Sequence, residues 1–336
     1  MKKIHEKNFP TIAIIIPYFG KLPNYFEFWL ESCRFNATVD WFIFTDDESK
    51  YNYPTNVHVS HTKFEDLIEL FQNQFDFKIA LQTPYKLTDF KPTFGTVFFE
   101  YIRKFDFWGF GDIDLIYGNI RSFLTTSILE RQDKILTHGP FCLIKNTEEN
   151  NNVFRNKING KLKYKEVFSD ANHYGFDEYG NEAFNAICEK STMKIYKNNL
   201  LFADINSWKK HFKLTYVKRV CSNKEVEVLE DEITEVNNSS VFIFNKGKLT
   251  RKYLRLGQLK EKEYMYVHFQ KRKMAVEPFK VAGKFLIIPN KFVNFEEHID
   301  LDFVLKFGKK KFFSNRRIKR QIYIKTRLFF KNNFGI

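Results

Sequence analysis

The chain has 336 residues, 43% of them hydrophobic and 18% aromatic, and a formal net charge of +14. That composition excludes a disordered chain, and the length suits one large α/β domain with an appended part. Its early apolar run, Ile12 to Ile16, ends at Pro17, far short of the ~20 residues of a membrane-spanning helix and without the flanks of a signal peptide.

In chain order, residues 11–16 read as a buried parallel strand. Pro23 suits the first turn of a helix that places Phe26, Trp29, Leu30 and Cys33 at helical spacing. Trp41 to Phe44 is a second strand, running out into Thr45-Asp46-Asp47-Glu48, and Val57 to Val59 is a third. Phe64, Leu67, Ile68, Phe71 and Phe75 form an amphipathic helical stripe. Phe94, Val97, Phe98, Tyr101, Ile102 and Phe105 repeat it, predicting a helix directly before the aromatic strand that begins at Phe107. Lys134 to Thr137 is a further strand. The polar stretch from Asn146 to Lys165 reads as a loop or short helices over the site. Residues 213–290 read as short strands and hairpins, one turning at Asn245-Lys246-Gly247-Lys248. Four scattered cysteines (Cys33, Cys142, Cys188, Cys221) lack a Cys-x-x-Cys pair, which predicts reduced thiols and no zinc site. Alternation of strand and helix predicts a mostly parallel sheet with helices on both faces, and such sheets bind ligands at the carboxyl ends of their strands.

The most informative residues are Asp112 and Asp114, in Phe107-Trp108-Gly109-Phe110-Gly111-Asp112-Ile113-Asp114. Two apart on a strand, their carboxylates are expected to face one spot at the strand's end. An Asp-x-Asp is often only a solvated turn or a helix cap. Here it follows a core strand, where acidic groups are expensive unless paired or metal-bound. A divalent cation takes such hard oxygen ligands, grips a diphosphate and carries the charge that develops on it as a leaving group.

With these segments in hand, the chain resembles the metal-dependent glycosyltransferases of the GT-A fold. More narrowly, it resembles an uncharacterised family of bacterial capsule and polysaccharide-cluster glycosyltransferases. The carrying segments are Ile14 to Gly20, Phe42 to Asp47, Tyr85 to Pro92, Phe107 to Tyr117, Phe176 to Gly180, and His268 to Lys273. The resemblance implies a GT-A-like catalytic domain over residues 1–275 and an extension over 276–336, with a basic tail from 303. It implies Mn²⁺ or Mg²⁺ on Asp112 and Asp114, with His268 as a third ligand. Donor contacts would come from Pro17, Tyr18 and Asp46 at strand ends, from Lys86, Asp89 and Lys91, and from Lys271 and Arg272. Asp89 also reads as a helix cap and Lys91 as a surface lysine at a helix start. Asp177 or Glu178 would be the general base, although an acidic pair at a helix start is also favoured by the helix dipole alone. The donor would be a nucleoside-diphosphate sugar, UDP-linked and of the hexose type such as galactose or glucose. The acceptor would be a lipid-linked saccharide.

After Asp302 no acidic residue occurs, and eleven Lys and Arg residues of the tail account for most of the +14, leaving +3 for the body. Cations interleaved with Phe312, Phe313, Ile322, Tyr323, Phe329 and Phe330 suit the anionic inner face of a plasma membrane, which predicts a cytoplasmic, peripheral enzyme. No nucleic-acid motif accompanies the charge, so no nucleic-acid partner is expected. Two rival readings are a nucleic-acid-binding protein acting through this tail and a nucleotidyltransferase acting on sugar phosphates. The nucleotidyltransferase requires a Gly-rich basic loop where this chain has Pro17-Tyr18-Phe19-Gly20-Lys21.

Overall fold

The computed structural model describes residues 9–206, 211–215 and 239–308. The chain divides into two compact units, one ending at Phe202 and the other starting at Ala203. That division falls inside the stretch 1–275 expected to form one catalytic domain.

The strands of the first unit's sheet are β1 (Ile12–Pro17), β2 (Val39–Thr45), β3 (Val57–His61), β4 (Phe107–Gly111), β6 (Lys134–His138), β7 (Phe141–Lys145) and β8 (Ile195–Tyr196), with a short β5 (Leu115–Tyr117) after β4. Their order is β3-β2-β1-β4-β7-β6-β8. The β3-β2, β2-β1, β1-β4 and β6-β8 pairings are parallel, and β4-β7 and β6-β7 are antiparallel. This is the expected mixed α/β architecture with a mostly parallel sheet. The apolar run of β1 is continuous because both of its faces are covered. Ala13 and Ile15 join a core with Leu67 and Phe71 of helix α2 (Phe64–Gln72). On the opposite face, Trp41 of β2 meets Trp29 of helix α1 (Phe26–Arg34), with ring centroids 6.2 Å apart.

The helix expected over Phe94 to Phe105 is broken. Single turns span Phe94–Val97 and Phe99–Ile102, and Phe98 between them leaves helical geometry at ψ 22°. Phe94, Val97, Phe98 and Ile102 are nonetheless buried as the spacing requires.

β9 (Phe202–Asp204), whose last two residues open the second unit, lies beside β13 (Tyr266–His268). A separate sheet is formed by β10 (Ser240–Asn245), β11 (Lys248–Arg255), β12 (Gln258–Glu263), β14 (Ala275–Val276), β15 (Lys284–Ile288) and β16 (Lys291–Val293). Lys246 and Gly247 join β10 to β11 with φ of 47° and 85°, the doubly positive turn whose twist matches that of a hairpin. Helix Leu301–Phe307, capped by Asp300, packs Val304 with Val241, Leu286 and Ile288. Apart from its first few residues, the basic tail lies outside the described residues, and so does the surface role expected of it. No helix among the described residues is long and apolar enough to cross a membrane. Cys33, Cys142 and Cys188 are buried thiols, while Cys221 lies outside the described residues.

Gly109 sits where β4 is squeezed between its neighbours, pairing with Ile14 of β1 and Leu143 of β7. A Cβ there would run into the Cys142 carbonyl oxygen and come within 2.6 Å of Leu143 Cδ2. Backbone cannot swing aside as a side chain can, so Gly109→Ala is expected to cost about 1–3 kcal/mol of stability. A lowered midpoint in urea unfolding, against an unchanged midpoint for a surface substitution such as Lys104→Ala, checks this.

Candidate functional site

Three adjacent parallel strands, β2, β1 and β4, end along one edge of the first unit's sheet. The end of β1 carries Pro17 and Tyr18, that of β2 carries Asp46 and Asp47, and that of β4 leads into Asp112. Asp46 Oδ1 accepts from the Gly20 N–H at 2.7 Å, and Asp47 Oδ2 accepts from the Leu22 N–H at 2.7 Å. The two acidic residues thus pin the loop that follows β1. Asp46 stays exposed. The Tyr18 hydroxyl is pushed up from its ordinary pKa by burial, then by the charges of Asp114 and Asp47.

Asp112 and Asp114 do not lie on a strand. β4 stops at Gly111, residues 112–114 form a turn, and β5 resumes at Leu115. Strand alternation therefore does not bring them together. The turn does, and an oxygen of each lies within 4.8 Å of one on the other. The turn is pinned by the Asp112 N–H donating to Pro140 O at 2.9 Å. Asp114 is nearly buried, whereas the Asp112 side chain is 33% exposed.

Lys91 is the counter-charge. It is not a surface lysine: Nζ donates to Asp112 Oδ1 at 2.7 Å and to Gly139 O at 2.8 Å, and stands 3.7 Å from Asp177 Oδ2. Burial pulls its pKa down, but the charges of Asp112, Asp177 and Asp114 outweigh that and hold it above the ordinary lysine value. Asp177 responds oppositely. Burial pushes its carboxyl up to about 6, against the pull of Lys91 and with help from Asp112 and Asp89.

Asp177 and Glu178 are not at a helix start, since the following helix begins only at Phe184. They occupy a tight turn in which the N–H groups of Glu178 and Tyr179 both donate to Gly175 O. The helix dipole therefore does not account for the pair. Glu178 lies with His138, whose Nε2 is 3.8 Å from Oε1.

Lys86 and Asp89 do not reach a ligand surface. Asp89 is fully buried and Lys86 almost so, and they pair at 2.9 Å. Lys86 Nζ also donates to the carbonyls of Val167 and Asn172. Asp89 is not a cap of its own helical turn. Its two oxygens accept from the backbone N–H groups of Tyr174 and Phe176, at 3.0 and 2.8 Å. The pair anchors the loop that presents Asp177, which replaces the donor contact expected of both residues.

In the second unit, His268 Nδ1 hydrogen-bonds Asp204 Oδ1 at 2.7 Å. Arg272 is buried, donating to Asn290 Oδ1 at 2.8 Å and to Asn206 O at 2.7 Å. It braces this unit and does not offer the exposed cation expected for a diphosphate. Lys271 is exposed, with a left-handed backbone at φ 59°.

Sequence reasoning missed the β6–β7 connection, His138-Gly139-Pro140. Leu136, buried in β6, adopts φ 64° beside a break in the β6–β7 register, a costly conformation for a branched residue. A Cβ on Gly139 would lie 2.7 Å from Glu178 Oε2 and 2.9 Å from Asp177 Oδ2. A His-Gly-Pro tip directly after an apolar strand was the available signal.

Among solved structures, the chain is similar to galactosyltransferase LgtC in complex with donor and acceptor sugar analogs. That match is at 13% identity, covers 57% of this chain and 75% of that one, and has a TM-score of 0.32. An active-site mutant of LgtC matches at 11% identity over 78% of this chain and 88% of that one, with a TM-score of 0.39. Likeness at that level carries no inference about activity. No curated protein sequence matches the chain. A family model does, over residues 14–296, and the chain accordingly belongs to the family of unknown function DUF6625.

Proposed function

We propose that the protein is a glycosyltransferase that moves a hexose from a nucleoside-diphosphate sugar, UDP-linked, to a lipid-linked saccharide in cell-surface polysaccharide synthesis. The observation that carries this reading is the acidic turn at the carboxyl end of β4. Asp112 and Asp114 converge there, balanced by a buried lysine that also faces Asp177. Paired carboxylate oxygens are the hard donors that Mn²⁺ or Mg²⁺ takes. Such an ion, when bound, offsets the charge of a departing diphosphate. His268 is proposed as a further ligand. Its support is the Asp204 carboxylate on Nδ1, which fixes the tautomer with its lone pair on Nε2, the arrangement usual for metal-ligating histidines.

Asp177 is the proposed general base. It takes the proton of the acceptor hydroxyl as that oxygen bonds to the anomeric carbon. The bond from that carbon to the diphosphate oxygen breaks, and its electron pair leaves with the phosphate. A carboxylate raised to about 6 is better matched to this task near neutrality than an ordinary aspartate. Lys91 holds both Asp112 and Asp177 in place, and Pro17, Tyr18 and Asp46 line the edge where the donor's base and ribose would lie.

Asp112→Asn and Asp114→Asn are each expected to abolish Mn²⁺-dependent binding of UDP while leaving the melting temperature within a few degrees of wild type. Calorimetry with and without Mn²⁺ measures this, and equal UDP affinity in both variants removes the metal assignment. Asp177→Asn is expected to lower turnover about 10²-fold or more while sparing UDP binding. The base works deprotonated, so wild-type turnover should fall about tenfold per pH unit below the folded pKa of about 6 and level off above it. An Asp177→Asn protein with near-normal rates places the base elsewhere.

The acceptor's lipid anchor gives the basic tail its proposed role of adsorbing to anionic membrane. Deleting residues 309–336 is expected to abolish co-sedimentation with phosphatidylserine vesicles and to spare transfer to a water-soluble acceptor. Full-length adsorption should weaken as salt shortens the Debye length from about 10 Å at 0.1 M to about 3 Å at 1 M. Equal sedimentation of both proteins would remove the membrane role.

A further inference from the structure

The turn that carries Asp177 also walls a cavity of about 240 Å³, bounded on its other side by helix Lys163–Ser169. Tyr174, Phe176 and Tyr179 give it aromatic surface, and Lys163, Asn181 and Glu182 supply polar groups. Its volume is below the roughly 300–1,000 Å³ of sites for drug-sized ligands, so it admits one ring and not a nucleotide.

Charge narrows the ligand class further. Among the described lining residues Lys163 is the one cation, and its Nζ is held 2.7 Å from Glu166 Oε1 and 3.6 Å from Glu182 Oε2. Two carboxylates on one ammonium leave no positive potential for a phosphate or a sialic-acid carboxylate. What remains are flat rings and hydrogen-bonding groups. A pyranose stacks its C–H face on the electron-rich face of an aromatic ring. Its hydroxyls, which both donate and accept, match a carboxylate and an amide side by side.

Tyr179 is the exposed part of this wall, with 57% of its surface open to solvent. Its backbone is fixed by the N–H bond to Gly175 O at 2.7 Å. The turn presents Asp177 as a buried side chain and, two residues later, an outward-facing tyrosine ring. Beside this wall in sequence, the His173 ring packs against the exposed Tyr85 ring at a tilt of 35°, with centroids 4.8 Å apart.

We infer that this cavity is a subsite for one neutral pyranose of an oligosaccharide, with Tyr179 as its stacking platform and Glu182 and Asn181 reading hydroxyls. Its place in the reaction, holding an acceptor residue away from the reacting end, rests on the glycosyltransferase reading. Saccharide binding itself does not.

The test is binding of the full-length protein to an array of neutral and anionic oligosaccharides, with UDP and Mn²⁺ affinity measured in parallel. Wild type is expected to bind neutral glycans. Tyr179→Ala should bind at least tenfold more weakly, Tyr179→Phe as wild type, and Glu182→Gln more weakly than wild type, with all melting temperatures and UDP affinities unchanged. Restoration by phenylalanine separates a stacking role from a merely structural one. A wild-type protein that binds UDP but no glycan overturns the subsite, as does exclusive binding of anionic glycans or equal binding by Tyr179→Ala. Glycan binding that depends on Tyr179, in a protein that binds no UDP, leaves the subsite standing and removes the transferase reading instead.

Discussion

The buried Lys86–Asp89 ion pair is the constraint on which the rest of the site depends. Within six residues, one short helical stretch supplies Lys86, Asp89 and Lys91, and each is turned inward. Lys86 and Asp89 tie down the 172–176 loop, and Lys91 reaches the acidic turn after β4. A buried pair of this kind contributes little net stability over an apolar substitute, because both ions are stripped of water. Its value is positional. Asp89 satisfies two backbone N–H groups of a loop that has no helix or strand to satisfy them, and so fixes where Asp177 stands. Truncating either partner would leave a bare charge in the core, the costly half of the same asymmetry.

Much of the fold was legible because it depends on patterns that survive without tertiary information. The run Ile12 to Ile16, the α2 stripe and the Lys246-Gly247 turn each follow from apolar period or turn chemistry. The site was legible only in outline. Sequence pointed to Asp112, Asp114, Lys91 and Asp177, but by arguments that the chain does not use. Strand alternation does not apply to a turn, and the helix dipole does not reach a turn that ends five residues before the helix. Lys86 and Asp89 were misread because charge predicts exposure, and only their mutual pairing, together with bonds to a loop about 85 residues away, reverses that. Arg272 was misread for the same reason. Leu136 and Gly139 gave no periodic signal, since a register break is a departure from period.

Strain is concentrated where these elements meet. Leu136 is held at positive φ within a strand whose next turn presents the Gly139 carbonyl to Lys91. Gly139 has no room for a side chain because two carboxylates press against it. Costly backbone geometry persists where the surroundings over-determine it. Here the surroundings are the charged groups themselves, and the register break positions the β6–β7 tip against them.

The charges also account for why one lysine is insufficient. Asp112, Asp114 and Asp177 surround a single ammonium, so with all three ionised the cluster carries two negative charges in excess. Burial, helped by the charges of Asp112 and Asp89, raises the Asp177 carboxyl to about 6, so its protonation removes one of the two excess charges only below that pH. The rest sits on the turn at Asp112 and Asp114, where one side chain is a third exposed and solvent relieves part of the repulsion. With Asp177 ionised, as the proposed base must be, a divalent cation would cancel the whole excess of two. A monovalent cation would cancel only half of it. Charge count and donor type therefore support the same proposed class of ion, from separate physical grounds.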